Sequence, residues 1–354
     1  MIRFTVRQFR TQAAIALGIL AIVAILLAVT GRDLVHLYGA SGISTCKAQG
    51  NCGTVTSLFL NHYKLFQNLG LVVILLPGII GIFWGAPLVA RELETGTFRL
   101  AWTQSVTRSR WLAVKLGLVG LSSVAVAGLF SLMVTWWSTP IDRVNMNDFD
   151  VFGGRDLVPI GYAAFAFAVG VTAGLIIRRT VPAMATTLVA FVGARLAIAY
   201  WVRPDLMTPA HVAMSLRFGN NVGFGAQPGT GGGPDPSGIT FVASPPTIPN
   251  AWVYSGQLVD KAGKPATTNV LHQFLVRECP RIVTPPNGRS PFGSGNQTGF
   301  QNCLTKLTAR FHEMVTYQPA DHYWAFQWYE TAIFLALALI LVAFCFWWLR
   351  RSTS

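Results

Sequence analysis

Charge is what this sequence has least of. Of its 354 residues 12% are charged and 52% hydrophobic, whereas a soluble domain carries about a quarter charged, so the balance argues against an ordinary soluble protein and for one that lives in lipid. Acids are scarcer still, with 14 Asp and Glu against 27 Lys and Arg, for a net charge of +13. Basicity of that size can mark a nucleic-acid binder, but such a binder gathers Lys and Arg on a soluble face with base-reading partners. Here small basic clusters sit beside apolar runs, so no nucleic acid is expected as a partner.

Catalytic patterns are missing too. The nearest approach to a phosphate-binding loop, Gly256 to Pro265, has the wrong spacing and a proline where Ser or Thr is needed. His312-Glu313 begins like a zinc-protease helix, yet Thr316 stands where the second histidine belongs, and the remaining histidines show no ligand spacing. There is no G-x-S-x-G elbow and no carboxylate pair within the apolar runs to form a proton relay. No metal, no cofactor and no catalytic residue is therefore expected in this chain. Asn296-Gln-Thr fits a glycosylation acceptor by pattern alone.

What is present is length of hydrocarbon. A membrane crossing takes roughly 20 apolar residues, and six runs qualify, at 13–30, 70–89, 111–137, 159–177, 181–201 and 328–348. The first is expected to be retained as a helix, because five more spans follow and no small-residue cleavage site is well placed behind it. Residues 1–12 put Arg3, Arg7 and Arg10 on one helical face and Ile2, Val6 and Phe9 on a neighbouring one, the pattern of an amphipathic helix lying in the headgroup region. The class expected is an α-helical integral membrane protein of the plasma membrane with six transmembrane helices.

Orientation follows from Lys and Arg. Arg3, Arg7, Arg10, Arg91, Arg99, Arg108, Arg110, Lys115, Arg178, Arg179, Arg350 and Arg351 fall on one side in short segments, which places that side and both termini in the cytoplasm. The segments 31–69, 138–156 and 203–327 then lie outside. The last is a soluble-type, mixed α/β domain between the fifth and sixth helices; Thr240–Ala243 and Ala251–Tyr254 suggest short strands, and the Gly/Pro-rich tract 225–238 a loop. The first five helices occupy 13–202, and 328–354 holds the sixth with a cytoplasmic tail. Cys46, Cys52, Cys279 and Cys303 all fall outside, where disulfides persist. Cys46–Cys52 and Cys279–Cys303 are the expected pairs, although four cysteines allow three connectivities.

Packing signals are local. Ala166, Gly170 and Gly174 at i, i+4, i+8 in the fourth span, and Ala113 with Gly117 in the third, are expected to let helix backbones approach closely. Pro77 and Pro87 are expected to bend or end the second span, Pro159 to fit the first turn of the fourth, and Thr180 to cap the fifth. Arg195 sits about 21 Å into the fifth span and Glu330 about 27 Å above the inner end of the sixth, taking 1.5 Å per residue. Charges at such depth find partners or face a wet cavity. Either Arg195, with Thr187 and Phe191 on the same helical face, lines a substrate path with Glu330 nearby, or Arg195 snorkels or pairs with Glu330 for architecture.

One cytoplasmic segment is long enough to form a platform. Glu92 and Glu94 close the second span, Gly96 breaks it, and Phe98, Ala101 and Trp102 at i, i+3, i+4 give a short apolar ridge flanked by Arg99, Arg108 and Arg110. Such a ridge suits docking into a groove on a soluble partner. The stretch from Arg91 to Lys115, R-E-L-E-T-G-T-F-R-L-A-W-T-Q-S-V-T-R-S-R-W-L-A-V-K, resembles the segment after the second span in permease subunits of the ABC-2 (type V) exporter family. The plan of the whole chain resembles that family too.

The resemblance implies a coupling helix at 91–110 that receives motion from a separate ABC ATPase, with docking roles for Glu92, Glu94, Gly96, Thr97, Phe98, Arg99, Trp102 and Arg108. It implies that ATP and Mg are bound by that partner, and that a second copy or a related permease completes the path, in contact with membrane lipids. It further implies export of a lipophilic or amphipathic substrate. The outer domain of 203–327 is large for this family, and a membrane-anchored sensor or ligand-binding module without transport is the alternative reading.

Overall fold

The computed structural model describes residues 2–40, 75–96, 107–145, 147–216, 222–226, 239–243, 248–280 and 297–351. In chain order, α1 is Ile2–Ala40, α2 is Leu75–Thr95, α3 is Arg108–Asn145 and α4 is Val158–Ile177. α5, Thr180–Ala197, is prolonged by a π turn (Ile198–Val202) and a 3-10 turn (Arg203–Asp205). There follow the strands β1 (Ala210–Met214), β2 (Val222–Ala226), β3 (Ile239–Ala243) and β4 (Trp252–Asp260). The helices α6 (Thr268–Glu278) and α7 (Gln297–Arg310), strand β5 (Phe311–Gln318) and helix α8 (His322–Arg351) complete the chain. Six of the helices, α1 to α5 and α8, are long and apolar enough to cross a membrane, as the apolar runs predict.

Boundaries differ from the sequence expectation for physical reasons. Residues 1–12 are expected to form a separate interfacial helix, but α1 runs unbroken from Ile2 to Ala40, with its span at Leu20–Ala40; neither proline nor glycine interrupts 2–17 to part the two segments. Pro87 does not end α2. A π turn at Gly81–Gly85, in which the Ala86 N–H reaches back to the Gly81 carbonyl, shifts the hydrogen-bond register just before the proline and lets the helix continue. Pro159 sits in the first turn of α4 as expected. Thr180 is not the cap of α5: Arg179 holds the extended N-cap position, and Thr180 is already helical.

α4 lies at the centre, with α2, α3, α5 and α8 packed round it, and residues on every face of it are buried. The small-residue stripe of α4 works as expected. A Cβ added at Gly170 would stand 2.6 Å from the Gly81 carbonyl oxygen and 2.7 Å from the Ala86 nitrogen, and one at Gly174 would stand 2.7 Å from the Ala86 oxygen. The backbones of α2 and α4 therefore touch directly, which only glycine at these positions permits. The stripe Ala113–Gly117 packs against none of the described residues: among them nothing lies within 4 Å of a Cβ at Gly117. The buried side of α3 is carried by Leu112, Leu116 and Val119, one residue or about 100° round the helix from the expected stripe.

Residues 208–320 form a compact unit of their own. β1, β5 and β4 make an antiparallel sheet with β5 in the middle, and β2 and β3 form a separate hairpin. Of the two stretches expected to be strands, Thr240–Ala243 lies in β3 and all of Ala251–Tyr254 but its first residue in β4, and the His312 segment is a strand, which disposes of the zinc-helix pattern. Leu216, Leu258, Phe274, Leu275, Leu307 and Phe311 form the core of the unit. The Cys279–Cys303 bond joins the end of α6 to α7 beside that core, with Cα atoms 5.4 Å apart. Cys46 and Cys52 lie outside the described residues. Lys306, bonded to Glu278 at 2.8 Å, spans the same two helices and holds that carboxyl below its usual range. Because the disulfide closes 24 residues, Cys279→Ser is expected to cost the unit about 3 kcal/mol. That loss should appear as a lower unfolding midpoint of the full chain followed by fluorescence, and as protease sensitivity confined to 208–320.

Candidate functional site

The end of the helices that gathers Arg91, Arg108, Arg110, Arg178, Arg179, Arg350 and Arg351 holds the first constellation. α2 ends where glycine allows it to, at Gly96, whose φ of 73° is left-handed. Thr97, Phe98, Arg99 and Trp102 lie outside the described residues. α3 starts at Arg108, with Thr107 in the cap position accepting the Trp111 N–H at 3.0 Å.

Glu92 and Glu94 part company here. Glu92 points inward and is 6% exposed. It pairs with Lys115 on α3 at 2.5 Å, while the same ammonium donates to the Leu88 carbonyl at 3.3 Å and lies 4.7 Å above the Trp111 ring. Glu94 is exposed and reaches across to α5, where Oε2 accepts from the Thr180 N–H at 3.0 Å and from its hydroxyl at 2.7 Å. These two acids thus fasten the end of α2 to two different helices, and no feature of the local sequence announces either partner.

The second constellation lies where α5 and α8 meet α4. Thr187 and Phe191 are fully buried within the chain, with the Thr187 hydroxyl donating to the Ala183 carbonyl and the Phe191 ring edge-on to Tyr162 at 6.1 Å. Arg195 is half-buried with its guanidinium 5.1 Å above the Tyr162 ring. Glu330 is buried and accepts from the Tyr162 hydroxyl. It is held by Arg203, whose Nε and Nη2 donate at 2.8 and 2.9 Å in the fork geometry arginine offers a carboxylate. Arg203 follows the π turn that prolongs α5, beyond the point where hydropathy ends the span, and so it escapes a search for ionisable residues inside the apolar runs.

A neighbouring polar network was equally hidden. Arg155 donates to Asp142 at 2.5 Å, to Ser138 at 3.1 Å and to the Tyr323 hydroxyl at 2.9 Å; Tyr323 in turn donates to Asp156 at 2.5 Å. The Gln327 amide oxygen caps the start of α4 by accepting from Leu157 and Val158. The network ties α3, α4, α8 and the 3-10 turn Asp148–Gly154 together at the end opposite the basic one. Its only sequence signal is acid and base clustered at the ends of apolar runs.

The described residues enclose an apolar cavity of about 390 Å³ between α1, α2 and α3 and another of about 430 Å³ between α4, α5 and α8. Thr187, Phe191, Arg195 and Glu330 line neither. No group of His, Cys, Asp or Glu suited to a metal occurs among the described residues.

Six apolar helices with buried ion pairs between them define a multi-pass membrane protein. Residues 17–203, more than half of the chain, match the family described as ABC-2 membrane transporter related, and the chain belongs to that family. No curated protein and no solved structure matches it. The match runs from within α1 to Arg203 and stops before the unit 208–320. The family is one of transporter membrane subunits and implies an ABC ATPase as partner.

Proposed function

We propose that this chain is the permease subunit of an ATP-driven exporter in the plasma membrane, carrying a lipophilic or amphipathic substrate by alternating access. The observation that carries the reading is the pair of fastenings on either side of the segment 97–106: Glu92 to Lys115 on α3 and Glu94 to Thr180 on α5. Motion delivered to that segment can reach α3 through Glu92 and α5 through Glu94. Two ATPase subunits docking at 91–110 would supply the motion, and a second copy of the chain or a related permease would complete the path. The Lys and Arg gathered at the loop end support cytoplasmic termini and an outer position for 208–320.

Purifying the tagged full-length chain from its native membrane should bring with it an ATPase carrying a P-loop, whose hydrolysis rate changes when the two are reconstituted in lipid. Trp102→Ala should leave the chain inserted and folded but remove that change, and with it ATP-dependent accumulation of lipophilic dyes in inverted vesicles. A chain that purifies alone, and binds a ligand through 208–320, is instead a membrane-anchored binding module.

A further inference from the structure

We infer that Glu94 is a positioning residue that links the loop to α5 through a cap which opens and closes as the transporter cycles, an inference that rests on the transporter reading above. α5 begins without a cap of its own. The residue in its N-cap position is Arg179, which makes no side-chain cap bond. An arginine side chain has no oxygen to accept the first amides, and its charge lies at the positive end of the helix dipole. The preceding residue, Arg178, adopts a left-handed φ of 57° to end α4, so the turn between α4 and α5 has no room for another capping residue. The sequence of the turn therefore leaves the start of α5 to be completed from elsewhere.

It is completed from α2. One carboxylate oxygen of Glu94 takes both the Thr180 amide and the Thr180 hydroxyl, across 86 positions of sequence. The negative charge suits a helix N-terminus, and the two Thr180 hydrogen bonds favour the charged form of the carboxyl. Glu94 is thus bound to a transmembrane helix of its own chain, although its place in the last turn of α2 first suggests contact with a soluble partner.

Comparison with Glu92 shows what kind of link this is. Glu92 and Lys115 are buried, so separating them would strand a charge in a medium of low dielectric, and the join of α2 to α3 holds in every state. Glu94 is exposed and Thr180 half-buried, so water can replace each hydrogen bond as it breaks. Two acids two residues apart supply a fixed joint and a releasable one. Motion of the loop always carries α3 and carries α5 only while Glu94 holds Thr180.

The test uses the full-length chain in lipid nanodiscs with the ATPase recovered alongside it. Hydrogen exchange of the first turn of α5 is followed without nucleotide and with ATP plus orthovanadate. In the wild type, exchange at 180–184 should differ several-fold between the two states. Glu94→Ala should exchange fast in both and lose the regulation of ATP hydrolysis.

A second variant, Arg179→Ser in the Glu94→Ala background, supplies α5 with a local cap. It should restore slow exchange and thermal stability while exchange stays the same in both states and hydrolysis stays unregulated. Recovery of regulated hydrolysis in that double variant would reduce Glu94 to an ordinary cap and overturn the inference. So would equal exchange at 180–184 in the two states of the wild type. Failure of the transporter reading shows itself separately, since the wild-type chain would then recover no ATPase before any variant is made.

Discussion

Gly170→Val is expected to leave no correctly folded transporter in the membrane. The first carbon of any side chain at Gly170 would sit 2.6 Å from one backbone atom of α2 and 2.7 Å from another, well inside contact distance. Neither neighbour is a flexible side chain that can swing aside, because both belong to helical backbone next to the π turn of α2. Overpacking a core with extra carbons costs about 1–3 kcal/mol where neighbours can shift, and here α2 would have to move away from α4 as a whole. That movement would also break the matching contacts of Gly81 and Gly85 on Ala166 and Phe167. Fluorescence-detected size-exclusion chromatography of detergent extracts should show aggregate in place of the monodisperse peak. Gly117→Val on α3, where a Cβ meets nothing within 4 Å, should extract like the wild type. A monodisperse Gly170→Val protein with an unchanged melting midpoint would mean that α2 and α4 do not touch in this way.

The contrast between these glycines shows what spacing alone reveals. Small residues four apart mark a narrow face, but they do not say whether another helix lies against it. In α4 a partner was certain to be found, because that helix is apolar all round and buried on every side; in α3 the same spacing meets nothing among the described residues. The spans were legible because hydrocarbon thickness imposes a length on any sequence that crosses it. Two strands of the inserted unit were legible for a similar reason, since Thr240–Ala243 and Trp252–Tyr254 carry β-branched and aromatic residues in short runs. Their neighbour β5 was obscured by His312-Glu313, whose pattern mimics a metal helix.

Polar partners were the least legible part. Glu330 was visible as a charge inside a span, and so was its need of a counter-charge. Arg203 was not, because hydropathy ends the span at Trp201 while the helix winds on through a π turn and a 3-10 turn. Glu94 and Thr180 each have an unremarkable local context, and their bond forms where α2 and α5 pack against each other and against α4. Contacts of this kind are properties of the packed bundle, so the partners of Glu92 and Glu94 could not be read from the local sequence.

Glu92 offers the sharpest test of that distinction. Its place beside Glu94 suggests docking to the ATPase, whereas the structure buries it against Lys115. Glu92→Ala is accordingly expected to destabilise the chain by about 3–5 kcal/mol, since it leaves a buried ammonium without its counter-charge. The Leu88 carbonyl and the Trp111 ring remain beside that ammonium, but neither carries a charge to balance it. The loss should appear in the isolated chain, as a lower melting midpoint in detergent with no ATPase present, which a residue serving only to dock the ATPase would not produce. Replacing both partners, Glu92→Leu with Lys115→Met, removes the charges together and should recover most of the midpoint, because apolar pairs of similar volume often substitute for buried ion pairs without loss. If Glu92→Ala melts like the wild type and fails only in recovering the ATPase, Glu92 belongs to the docking surface and the weld between α2 and α3 must lie elsewhere.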